Sequence, residues 1–222
     1  MSLDPFLLRS LPKVLLHEHL DGVLRPCTLI DLARQSGYDR LPTEDPDALA
    51  AWFFSGANQG SLPKYLEGFT HTIAVMQTAE ALERVAYEQV EDLKNDGVVY
   101  FETRFAPVFH TAGGLTHEQI VAAVLRGLER GKRDFGVPSG LIICAMRNMN
   151  VSLEMAELAV DFRPRGVVGF DLAGEEGGYP PKKHIEAFYY IQRQNFSSHC
   201  IAGCEALGLC GDALRTCEAR LN

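Results

Sequence analysis

The sequence predicts an α/β fold, a parallel sheet covered by helices, and within that class it favours a (β/α) barrel over an open doubly wound sheet. Three observations carry this. Short runs rich in Val, Ile and Leu, apolar at consecutive positions, alternate with stretches of helical periodicity, as strands buried on both faces do. No GxGxxG follows the first run, and no GxxxxGK followed by Ser or Thr occurs, so a nucleotide-binding open sheet loses ground. Polar residues instead follow the ends of the runs: His17, His19 and Asp21; Glu102 and Arg104; Arg147 and Asn148; Asp171 and Gly174. A barrel gathers its site from the C-terminal ends of several strands.

The first strand is expected at Lys13–Leu16. Residues 38–77 form a longer insertion holding Trp52-Phe53-Phe54 and then Leu62, Tyr65, Leu66 and Phe69, spaced to line one helical face. That face is either plain core or an apolar lid over a site. A helix is expected from Thr78 to Asn95, with Leu82, Val85, Ala86, Val90 and Leu93 on its apolar side and a stop at Asp96-Gly97. The second strand follows at Val98–Phe105. Thr116 with Gln119 three residues on forms a capping box for a helix that fades at Phe135-Gly136. The third strand is expected at Gly140–Met146, a helix capped by Ser152 runs through Val160, and the fourth strand covers Val167–Leu172. Pro181 marks the first turn of a helix through Arg193, and a weaker fifth strand is expected near Phe196 to Gly203.

The 222 residues are 46 % apolar and 23 % charged, an ordinary globular composition long enough to bury a sizeable core. A net charge of -8 offers no basic surface for a nucleic-acid backbone. The N-terminus lacks a secretory apolar segment, and no run approaches the ~20 apolar residues of a membrane span; the expected location is cytoplasmic, with neither nucleic acid nor membrane as partner. Four of six cysteines, Cys200, Cys204, Cys210 and Cys217, fall in the last 23 residues. Their spacings match no paired C-x2-C zinc module, so residues 197–222 read as an atypical tail rather than a separate domain, with 1–196 as the barrel segment.

The chemistry begins at Val14-Leu15-Leu16-His17-Glu18-His19-Leu20-Asp21-Gly22. On a strand, residues two apart face the same way, so His17 and His19 look to one side together. Two such imidazoles can share a divalent metal, with zinc–nitrogen distances of about 2.0–2.1 Å; the alternative is a pair of polar residues near a surface.

"KVLLHEHLDGVLRP" resembles the opening motif of the adenosine deaminase family, metal-dependent amidohydrolases of the (β/α)8 TIM-type barrel. "GSLPKYLEGF", "DGVVYFETRFAP", "MRN" and "GFDLAGEEGG" follow in the family's order, from about Pro12 to about Phe196. The resemblance implies a partial barrel, about the first five strands of eight, and a Zn2+ cofactor held in part by His17 and His19. It also implies that His19 and Asp21 touch a purine nucleoside, Asp21 at the ribose, and that Gly174 presents backbone to the purine. Leu62, Tyr65, Leu66 and Phe69 would form an apolar gate. Asp171 is either a structural carboxylate or part of the chemistry, and Glu102 with Arg104 is expected as an internal ion pair. Asn148 and Val108 stand where the family has a histidine and, in many bacterial relatives, a glutamate.

The implied reaction is hydrolytic deamination of adenosine or deoxyadenosine by a metal-activated water, with a carboxylic acid protonating the ring nitrogen. The family's third zinc histidine and its acid/base glutamate share a His-Ala-Gly-Glu motif after the fifth strand. This sequence reads Ile201-Ala202-Gly203-Cys204-Glu205, which leaves Glu205 as the catalytic candidate, one residue late, and His199 as a candidate third metal ligand. The expectation is a chain that stops before the family's later strands, through a frameshift, alternative splice or misplaced gene end. Such a chain would have little activity alone and would self-associate through open strand edges. The competing readings are a non-catalytic purine-binding fragment and a related amidohydrolase. The bridging lysine typical of phosphotriesterase-like relatives is absent after the fourth strand, and a cytidine-deaminase signature is absent altogether.

Overall fold

The structure is a computed structural model that describes residues 11–57 and 62–200; the side chains of residues 57 and 62–66 lie outside that description. By its internal contacts the chain divides into two units, one ending at Gly140 and one beginning at Leu141.

The first unit opens with β1 (Lys13–His19), a single turn of helix at Leu20–Gly22, and α1 (Pro26–Ser36). The insertion supplies two helices, α2 (Pro46–Ala57) and α3 (Leu62–Val75), before α4 (Ala79–Asn95), β2 (Val98–Phe105) and α5 (His117–Phe135). Local chemistry sets the ends of α4 and α5. Thr78 Oγ1 accepts from the Ala81 N–H at 3.2 Å, and Gly97 beyond the helix takes φ +80°, which a side chain would resist. Thr116 and Gln119 form the expected reciprocal box, at 2.9 and 3.3 Å, satisfying two amides that a helix start leaves open. The two helices pack closely because α5 carries glycines at the contact. A Cβ at Gly127 would lie 2.3 Å from the Glu83 carbonyl, and one at Gly131 would lie 2.6 Å from Val90 Cβ. Leu82, Val85, Val90, Ile120 and Val124 are buried, each stabilising by about 1.5–3 kcal/mol relative to exposure.

β1 and β2 pair in parallel. Leu15 pairs with Phe101 and Glu18 with Thr103, three steps along β1 against two along β2. This is a bulge, which re-aims the residues beyond it. Counting alternation from Leu15 would put both histidines on the Phe101/Thr103 face. The extra residue moves them to the other face, where His19 pairs with Arg104. Glu102 and Arg104 do not form the expected ion pair: Glu102 takes the Tyr100 hydroxyl at 3.0 Å, while Arg104 Nη2 donates to the Leu16 carbonyl at 3.0 Å.

The second unit contains most of β3 (Ser139–Met146), then α6 (Ser152–Asp161), β4 (Val167–Ala173), α7 (Ile185–Arg193) and β5 (Ser198–Cys200). β3, β4 and β5 pair in parallel in that order, with Cys144, Asp171 and His199 in register across the three strands. Phe170 points away from that row and meets Phe188 of α7 edge-on at 5.7 Å. Two expected boundaries move. Val151, not Ser152, is the residue before α6, because the Ser152 hydroxyl is engaged by His184 Nδ1 at 3.0 Å. Pro181 opens a separate single turn, Pro181–His184, ahead of α7. The strands pair in parallel and helices follow them, as in a partial (β/α)8 barrel. No described helix is long and apolar enough to cross a membrane.

Candidate metal and ligand site

His17 and His19 stand at the C-terminal end of β1 with their Nε2 atoms 3.3 Å apart. Two nitrogens each 2.0–2.1 Å from one tetrahedral ion lie about 3.3 Å apart, so the separation of the pair matches two ligand positions. The same separation suits a long hydrogen bond when one Nε2 is protonated. Among the described residues no cluster of three or more His, Cys, Asp or Glu side chains completes a metal site. The His19 amide donates to Glu18 Oε1 at 3.3 Å, and desolvation raises the Glu18 pKa above the ordinary carboxylate value.

Asp21 follows on the short turn after β1 and is 6 % exposed. Among the described residues its Oδ1 has no hydrogen-bond partner, and it sits 3.9 Å from His19 Nδ1, beyond hydrogen-bond reach. Burial pushes its pKa up to about 6, opposed by its own backbone amide. A buried acceptor without a partner is rare and calls for a donor from elsewhere.

Asp21 borders a cavity of about 290 Å³ whose wall also includes Gly22, Leu24 and Pro26, Trp52, Phe53 and Phe54 of α2, and Phe69 and Thr72 of α3. None of its lining residues among those described is cationic. The combination of apolar walls and one placed polar group is the usual make-up of a small-molecule site. Gly68 lets α3 approach α2, since a Cβ there would lie 2.9 Å from Phe53 Cε1. The Phe69 ring meets His19 edge-on at 6.1 Å between centroids.

Of the residues singled out by sequence, His17, His19, Asp21 and Phe69 thus come together in the first unit. Leu62, Tyr65 and Leu66 lie on the first turns of α3, but their side chains are outside the described residues, as is all of Glu205. Trp52 and Phe53 prove to be pocket wall rather than plain core. In the second unit, Asp171 is fully buried and its Oδ2 accepts from Cys144 Sγ at 3.3 Å. Gly174, just past β4, takes φ +101° against Met146, a backbone conformation that side chains rarely adopt. His199 lies exposed on β5 beside Asp171.

Sequence reasoning missed several contributors. Thr72 lies three residues after Phe69 and shares its helical face, so the spacing could have found it; Leu24 and Pro26 carry no such signal. Arg147 was visible as a polar residue after β3. Its role as a tie was not: Nη1 donates to the Tyr179 carbonyl at 3.1 Å and Nη2 to Cys200 Sγ at 3.3 Å.

Comparison with known proteins bears on this geometry. A family model described as adenosine deaminase matches residues 12–221. An adenosine deaminase of Mycobacterium ulcerans is 54 % identical over 207 residues, which cover 91 % of this chain and 57 % of that protein. The chain therefore spans little more than half the length of that relative. Among solved structures, a zinc-bound amidohydrolase from Burkholderia ambifaria superposes with a TM-score of 0.84 at 23 % identity, over 100 % of this chain and 60 % of that one. Arabidopsis ADAL complexed with GMP superposes with a TM-score of 0.75 at 26 % identity, over 89 % and 60 % respectively.

Proposed function

The chain belongs to the adenosine deaminase family, and from that premise we propose that it supplies the first part of a site for hydrolytic deamination of adenosine or deoxyadenosine to inosine and ammonia. The observation that carries the proposal is the convergence of His17 and His19, 3.3 Å apart, beside a pocket headed by a buried carboxylate oxygen that lacks a donor among the described residues. His17 and His19 would hold zinc, which when bound supplies an activated water at neutral pH. The zinc in a structural neighbour and the purine nucleotides in others support a metal and a purine ligand here.

The chain's own residues do the rest of the positioning. Asp21 accepts a sugar hydroxyl, removing the unpaired acceptor. Phe69, with Trp52 and Phe53, covers apolar surface of the nucleoside and excludes water from the histidine pair. Leu62, Tyr65 and Leu66 are proposed as further gate residues from their sequence motif, and Gly174 as a backbone contact to the purine. His199 is proposed as a further metal ligand and Glu205 as the proton donor to the ring. Two histidines fill two of about four zinc positions, so turnover depends on groups beyond this pair.

The test is zinc content after dialysis, with adenosine turnover alongside, for the 222-residue chain and its His17→Ala and His19→Ala variants. Loss of zinc in both variants is expected. Zinc retained at wild-type level in both would end the metal assignment. Adenosine binding without turnover would favour the second reading, a non-catalytic purine-binding fragment, for which the Asp21 pocket is sufficient.

A further inference from the structure

Phe69 and Thr72 line the pocket from α3, and the far end of that helix is fastened by a cluster of hydrogen bonds. Gln77, two residues beyond α3, spends its whole amide on one joint. Its Nε2 donates to the Ile73 carbonyl at 2.7 Å and to the Phe109 carbonyl at 2.9 Å, and its Oε1 accepts from the Ala112 N–H at 3.0 Å. His110, fully buried, adds a second tie: its Nδ1 donates to the Met76 carbonyl at 2.9 Å. Gly113 locks against the same backbone, where a Cβ would lie 2.1 Å from the Gln77 carbonyl. Four hydrogen bonds and one glycine contact thus bind the end of α3 to itself and to the segment after β2. Phe69 sits six residues back from Val75, the last residue of α3, about 9 Å along the helix at 1.5 Å per residue, so a small rotation at the joint becomes a displacement at Phe69.

We infer that Gln77 and His110 are positioning residues for the ligand site. They fix the direction in which α3 leaves the joint, and so hold Phe69 against His19 and the pocket closed around its ligand. Neither lines the cavity among the described residues, and of their four partners only Ile73 belongs to α3, the other three lying beyond its end. The inference rests on the reading of the Asp21 pocket as a purine nucleoside site, and its test separates the two.

The protein is well suited to the experiment, because Trp52 is its only tryptophan. Trp52 lines the pocket and meets His71 of α3 at 5.3 Å between ring centroids. Acrylamide quenching of Trp52 therefore reports how α3 is seated, with or without ligand. The variants are Gln77→Ala, His110→Leu and His110→Asn, in which the shorter amide can still donate to Met76 from near the Nδ1 position. The control is Val124→Ala, which loosens the buried core of α5 away from the pocket. Gln77→Ala and His110→Leu should raise the quenching constant about twofold and weaken adenosine binding about tenfold. His110→Asn should recover most of both, and Val124→Ala should lose stability with neither change. The inference is overturned if Gln77→Ala and His110→Leu quench like Val124→Ala, or if His110→Asn behaves as His110→Leu. If the wild-type chain binds no adenosine, the nucleoside reading fails while the quenching series still decides the joint.

Discussion

Removing the imidazole of His110 should flatten the protein's response to acid. His110 is fully buried, flanked on one side by Phe105 at 5.5 Å, and its Nε2 has no hydrogen-bond partner among the described residues. Desolvation lowers its pKa from 6.5 to about 4, against the opposing effect of its bond to Met76. The folded state therefore keeps this imidazole neutral at pH values where the unfolded chain protonates it. Above pH 6.5 both states are neutral and no penalty exists. Between 6.5 and about 4 the unfolded state binds more protons, so stability falls as pH falls; below about 4 the loss is complete. The gap between the two values, at about 1.36 kcal/mol per pH unit, amounts to a loss on the order of 3 kcal/mol. Asp21 acts in the opposite sense, since its raised folded-state pKa favours the folded state as it protonates, so the test is a difference between proteins. Urea unfolding of wild type and His110→Asn is measured in steps from pH 7 to pH 4. The wild type should lose on the order of 3 kcal/mol more than the variant across that window. Parallel pH profiles would refute the reasoning, because they would mean that the imidazole is solvated or already charged in the folded protein.

Other perturbations follow from single contacts. Asp21→Ala should leave folding intact and weaken adenosine binding by about 1.5–3 kcal/mol, the value of a hydrogen bond to a charged group; calorimetry reads it, and unchanged affinity would remove Asp21 from the ligand site. Gly131→Ala drives a methyl into Val90 and should cost about 1–3 kcal/mol of stability, seen as a lowered thermal midpoint. Thr116→Ala opens the capping box of α5 and should cost about 1 kcal/mol, again in urea unfolding, with no change in Trp52 fluorescence.

Much of the fold was legible because its signals are local. Thr78 and Thr116 cap helices through bonds to residues three positions on, and Gly97 and Gly136 end them by adopting a backbone that other residues resist. The apolar runs that became β2, β3 and β4 needed only periodicity. The face shared by His17 and His19 needed only the two-residue repeat of a strand. Local signals fail where a side chain has two suitors. Ser152 was expected to cap α6, but His184, 32 residues away, takes its hydroxyl. Glu102 was expected to pair with Arg104, but Tyr100 is the partner it found.

By itself, then, the sequence determined the order of strands and helices, the pairing of two histidines on one side of β1, and the family to which those motifs belong. Tertiary structure alone decided which face the histidines look toward, because the β1–β2 bulge depends on register between segments some 85 residues apart. It alone decided that Asp21 is buried beside an aromatic cavity with one carboxylate oxygen left without a hydrogen bond among the described residues, and that Gln77 and His110 fasten the helix forming its wall. Burial and long-range partnership are properties of which segments meet. Periodicity and capping report only what a residue does with neighbours a turn away.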